Sequence, residues 1–106
     1  MIFTSIRTAD DQAGYEAMAG EMERLAATQP GYLGIESARN SDGVGITVSY
    51  WDSLEAVSRW GEHAEHRLAQ HLGRTRWYEA FSLRIARVES ERHFDRETDR
   101  ESRERH

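Results

Sequence analysis

Three histidines, His63, His66 and His71, fall between Tyr50 and Tyr78, in a stretch that also holds Trp51, Trp60 and Trp77. If that stretch is helical, each residue turns about 100° from the last. With Trp60 at zero, His63, His66 and Gln70 stand at about 300°, 240° and 280°. Two imidazoles and an amide on one flank are groups able to position an acidic phenol or enol, with an imidazole taking its proton, or to hold a metal. The same pattern also describes a plain polar flank bonded to backbone or to the loop over 74–78. A spacing of three suits metal ligands, but that flank offers no third His or carboxylate, so no metal is expected. His71 stands at about 20°, beside Trp60 on the apolar side. Trp60 and Trp77 present indole faces that suit a planar aromatic compound, and equally suit a small core. Arg74 and Arg76 are able to clamp a carboxylate or enolate, or to pair with Glu65 or Glu79. Tyr50 is expected to point into the space between helix and sheet. The candidate base is therefore His66 or His63, and the candidate substrate contacts are Tyr50, Trp60, Arg76 and Trp77.

The elements that must position these groups follow from periodicity. Ile2 to Arg7 alternates as a strand. Asp10 and Asp11 offer a cap for a helix whose Tyr15, Met18, Met22 and Leu25 form one apolar stripe. Gln29-Pro30-Gly31 ends it. Tyr32 to Ala38 is a second strand, with Leu33 and Ile35 on one side. Asn40-Ser41-Asp42-Gly43 is turn chemistry that makes a hairpin with a third strand, Gly45 to Trp51. There Ile46, Val48 and Tyr50 are expected to face the core. Asp52 or Ser53 caps the second helix, whose apolar face is Leu54, Val57, Trp60, Ala64, Leu68 and Leu72. Gly73 is the expected C-cap, and Phe81 to Glu89 the fourth strand.

The order β-α-β-β-α-β is the ferredoxin-like α+β pattern, a four-stranded antiparallel sheet with both helices on one face. The other face, expected to show Ile2 or Phe3, Trp51, Ala86 and Val88, is too apolar to stay wet. A homodimer joined sheet to sheet is expected. The domain spans 1–90. Residues 91–106 are a charged tail that cannot bury a core face.

The chain has 106 residues, enough for one modest core. Its 19 acidic against 14 basic residues give a net charge of -5, which argues against a nucleic acid partner. Having no cysteine excludes disulfides, thiolate metal sites and a Cys nucleophile. No Gly-rich phosphate loop and no Gly-x-Ser-x-Gly elbow is present. No apolar run approaches the ~18 residues of a membrane span, and a cytoplasmic location is expected.

Ser49-Tyr50-Trp51, Trp60, His63, Glu65-His66, Gln70, Gly73-Arg74, Trp77-Tyr78 and the closing Ala86-Arg87-Val88-Glu89 together resemble the antibiotic biosynthesis monooxygenase (ABM) superfamily of dimeric α+β barrels. The resemblance runs from Met1 to Glu89. It implies a small cavity between helices and sheet in each protomer, and oxidation of a small aromatic or polyketide-like compound, for which the superfamily includes cofactor-free oxygenases. The alternatives it also implies are a haem-binding or haem-degrading oxygenase using His71, and a ligand-binding dimer without turnover. The haem-degrading members carry an Asn on the first strand, where this chain has only Thr4 and Ser5.

Overall fold

The computed structural model describes residues 1–70 and 76–97. The elements are β1 (Ile2–Arg7), α1 (Gln12–Ala27), β2 (Tyr32–Arg39), β3 (Val44–Trp51), α2 (Leu54–Gln70) and β4 (Tyr78–Arg84). Their order is the ferredoxin-like β-α-β-β-α-β. The sheet runs β2-β3-β1-β4 with every neighbouring pair antiparallel. His71, Leu72, Gly73 and Arg74 lie outside the described residues, as does the tail from 98 onward.

Local chemistry sets the helix starts. Asp11 caps α1 by accepting from the Gly14 amide at 3.3 Å, and Ser53 caps α2 by accepting from the Ala56 amide at 3.1 Å. The hairpin between β2 and β3 closes at Gly43, whose φ of 92° suits glycine. Along α2, Val57, Trp60, Ala64 and Leu68 are buried, as their spacing predicts. Leu54 is a correction to that stripe: at the first turn it stays largely exposed. Ala26, Trp60 and Ala64 form one buried cluster, and Met18, Leu68, Trp77 and Tyr78 the other.

The sheet departs from its expected facing. Trp51 stacks on Trp60 with ring centroids 5.7 Å apart and planes at 25°, so Trp51 belongs to the helix side and not to the open face. Strand alternation then fixes the rest of β3. Thr47 and Ser49 face the helices, while Ile46, Val48 and Tyr50 face away. The hydroxyl-bearing side of β3, expected on the open face, is thus the inner one. In β1 the inward residues are Phe3, Ser5 and Arg7, with Ser5 only 1% exposed and Arg7 7%. The burial of the indole decides the register, because it outweighs any single aliphatic side chain.

A register shift between Tyr32 and Gly34 corrects β2 as well. This irregularity lets both Tyr32 and Ile35 face inward and leaves Leu33 exposed. Regular pairing in β4 ends at Arg84. Residues 85–89, expected to extend that strand, have no regular structure. No described helix is long and apolar enough to cross a membrane.

Candidate active site

Because the inner face of the sheet carries small polar residues, the helices do not close down on it. A cleft of about 530 Å³ remains between α1, α2 and the sheet, a size that suits a small organic molecule. Met18, Ala19 and Met22 of α1 and Trp60, Ala64 and Leu68 of α2 form its roof. The floor is built in rows across the strands. Phe3 pairs with Thr47, which pairs with Ser37; Ser5 pairs with Gly45, which pairs with Arg39. The Ser37 and Thr47 hydroxyls lie 3.0 Å apart.

One end of the cleft is cationic and phenolic. The Arg39 guanidinium donates to Ser5 Oγ at 2.9 Å and to the Tyr15 hydroxyl at 3.1 Å. It also donates to the Gly43 carbonyl. It lies flat against Gly45, where a Cβ would come within 2.5 Å of its Cζ. Arg7 sits 3.9 Å from the centre of the Tyr15 ring, a cation-π distance. Arg7 donates to the Trp77 carbonyl at 2.7 Å and to Gln12 Oε1 at 3.0 Å. Among the described residues neither guanidinium has a carboxylate partner.

Tyr78 completes this end. Burial, the first cause, pushes its phenol well above the ordinary tyrosine range. The neighbouring Tyr15 adds to the shift through charge and a hydrogen bond, while Arg39 and Arg7 oppose it. Tyr78 therefore stays protonated and serves as a donor. The Glu16 and Glu23 carboxylates stand at the rim, and Gln12 holds Glu16 at 2.9 Å. At the other end the Met1 amine donates to the Ser49 carbonyl at 2.6 Å, and burial lowers its pKa.

The residues singled out from the sequence scatter around this cleft. Trp60 lines it. His63 and His66 are exposed on α2 and do not line it; His63 stacks on the Trp60 ring at 5.7 Å. Tyr50, expected in the helix-sheet space, is on the opposite face, where it donates to Glu36 Oε2 at 3.0 Å and that carboxylate raises its pKa. Trp77 is 4% exposed in the core beside α1, its Nε1 donating to Asp11 Oδ2 at 3.2 Å. Arg76 pairs with Asp10 at 3.3 Å and Asp11 at 3.5 Å, and not with Glu65 or Glu79. The haem alternative depends on His71, outside the described residues. Among the described residues no cluster of three His, Cys, Asp or Glu forms a metal site.

Arg39, Tyr15 and Ser5 escaped the sequence reading. Arg39 stands next to turn residues and looks like a solvated strand end. The signal lay in Gly45, a glycine inside a strand, which marks a place where another group comes close to the backbone.

This chain is similar to known proteins in sequence and in fold. The family model described as antibiotic biosynthesis monooxygenase matches residues 2–72. The uncharacterized protein YqjZ of Bacillus subtilis (strain 168) is 48% identical over 98 residues, covering 92% of this chain and 85% of that one. The crystal structure of PA3566 from Pseudomonas aeruginosa superposes with a TM-score of 0.60 at 15% identity, over 80% of this chain and 91% of that one. That likeness is one of fold.

Proposed function

This chain belongs to the antibiotic biosynthesis monooxygenase family, and from that premise we propose that it is a monooxygenase acting on a small aromatic or polyketide-like compound held in the cleft. The observation that carries this reading is the cleft itself: about 530 Å³, roofed by Trp60, Leu68 and two methionines, and floored by hydroxyls. A flat, mostly apolar body fits the roof, and its few oxygens meet the floor.

The chemistry suited to such a site needs no resident cofactor. An enolisable substrate loses a proton, and its carbanion gives electrons to dioxygen. One oxygen atom ends as a new carbonyl and the other leaves as water, so a methylene becomes a ketone. The protein's share is to accept the proton and to stabilise the anion. His63 and His66 do not line the cleft, so the proton goes to the rim carboxylates Glu16 and Glu23. The Ser37 and Thr47 hydroxyls on the floor, one of which keeps its O–H free when the two bond to each other, donate to the developing enolate oxygen.

The test is dioxygen uptake with an enolisable tricyclic ketone. Acceleration over buffer is expected, with one ketone formed per dioxygen consumed. Ala64→Phe, which fills the roof, is expected to abolish it while the fold persists by circular dichroism. Glu16→Gln with Glu23→Gln is expected to slow it by about a hundredfold. No acceleration, or full activity in Ala64→Phe, overturns the proposal.

The protein is further proposed to work as a homodimer joined through the outer sheet face. Ile6, Val44, Ile46 and Leu33 are all exposed there, and an apolar patch of this kind marks an interface.

A further inference from the structure

The cleft has a directional polarity that the proposed oxidation does not use. Its body is apolar, yet one end carries the Arg39 guanidinium with no carboxylate partner among the described residues. Of the five N–H donors of a guanidinium, three are engaged by Ser5, Tyr15 and the Gly43 carbonyl. Two remain for a ligand. Those three contacts also fix the group in place, so little rotamer freedom is lost when an anion arrives. Arg7, 7% exposed and stacked on the Tyr15 ring at 3.9 Å, adds a second positive charge behind the phenol. It does not line the cleft, so it contributes field and not contact. The hydroxyls of Ser37 and Thr47 lie one inner row along the floor from Arg39. The rim carboxylates Glu16 and Glu23 bound the charge such a site accepts: a single negative charge is matched, whereas a phosphate dianion meets only one contacting cation.

We infer that the cleft binds planar aromatic carboxylic acids, with the ring system under Trp60 and Leu68 and the carboxylate on Arg39 and the Tyr15 hydroxyl. The inference rests on the cleft being the ligand site, and it adds the substrate's chemical class. A guanidinium N–H on a carboxylate oxygen is a charge-assisted bond, stronger than a neutral one, and removing such a bond from an apolar setting carries a large cost in affinity.

The experiment compares 2-naphthoic acid with 2-naphthamide, which match in shape and differ in charge. Binding to the full chain is followed by quenching of tryptophan fluorescence and by calorimetry near neutral pH. The acid is expected to bind about tenfold to a hundredfold tighter than the amide. That preference is expected to shrink severalfold when salt is raised from about 0.05 M to about 0.5 M. Arg39→Gln is expected to erase it, weakening the acid far more than the amide, with circular dichroism showing that the variant is folded. Equal affinities of acid and amide for the unaltered chain overturn the inference and leave the cleft as a ligand site. Binding of neither compound overturns both. A preference for the acid that survives Arg39→Gln overturns the assignment to Arg39.

Discussion

At the scale of single residues, two aromatic groups control the cleft in different ways. Trp60 is wall and core at once. It stacks on Trp51 and lines the open space. Trp60→Ala is expected to cost about 3–5 kcal/mol in chemical denaturation, and Trp60→Phe clearly less, because the smaller ring keeps part of the stack. Tyr78 controls protonation. Its folded pKa lies above its unfolded value near about 10. The folded chain thus holds this proton more tightly than the unfolded chain does. The stabilisation is fully present below about pH 10 and is lost as pH climbs through the folded value. Denaturation midpoints taken from about pH 9 to about pH 11 are expected to fall more steeply for the unaltered protein than for Tyr78→Phe. Equal slopes refute the shift.

At the scale of elements, Asp11 joins more parts than its place in the sequence suggests. It caps α1 through Gly14, accepts from the Trp77 indole and pairs with Arg76. Asp11→Ala removes all three and leaves a Cβ residue at a φ of 50°. A loss of about 2 kcal/mol or more is expected by urea denaturation. Ser53→Ala, which removes a cap alone, should cost about 1 kcal/mol. These caps were legible in the sequence because a cap is a local arrangement of neighbours. So were both helices, the hairpin turn and the order of the strands. The inward face of the sheet was not legible. Ile46, Val48 and Tyr50 read as a core stripe, and Thr47, Ser49 and Trp51 as the open face. Alternation shows that two faces differ without showing which meets the helices. One long-range stack, Trp51 on Trp60, settles that choice. The site followed the same logic. Trp60 was found by its period, whereas Arg39 converges with Ser5 and Tyr15 across gaps of 34 and 24 residues.

At the scale of the whole molecule, the two faces of one sheet divide the work. The inner face keeps hydroxyls and a guanidinium beneath the helices, and the outer face shows branched aliphatics. An outer face of that kind is a liability for an isolated chain and an asset for a pair. In sedimentation the protein is expected to run as a dimer. Ile46→Lys, a charge in the middle of that face, is expected to yield monomers that retain the helical signal. A monomer in the unaltered protein refutes the pairing.

One small absence on β3 has a further effect. Gly45 carries no side chain, and the Arg39 guanidinium rests directly on its bare backbone. Adding a single methyl, Gly45→Ala, wedges that cation away from Ser5 and Tyr15 at little cost to the fold, because only the far end of a flexible arm has to yield. The cleft would then lose its positive pole although the chain's net charge is unchanged. Position 45 is in this sense a remote dial on the electrostatics of a site that its own atoms do not line.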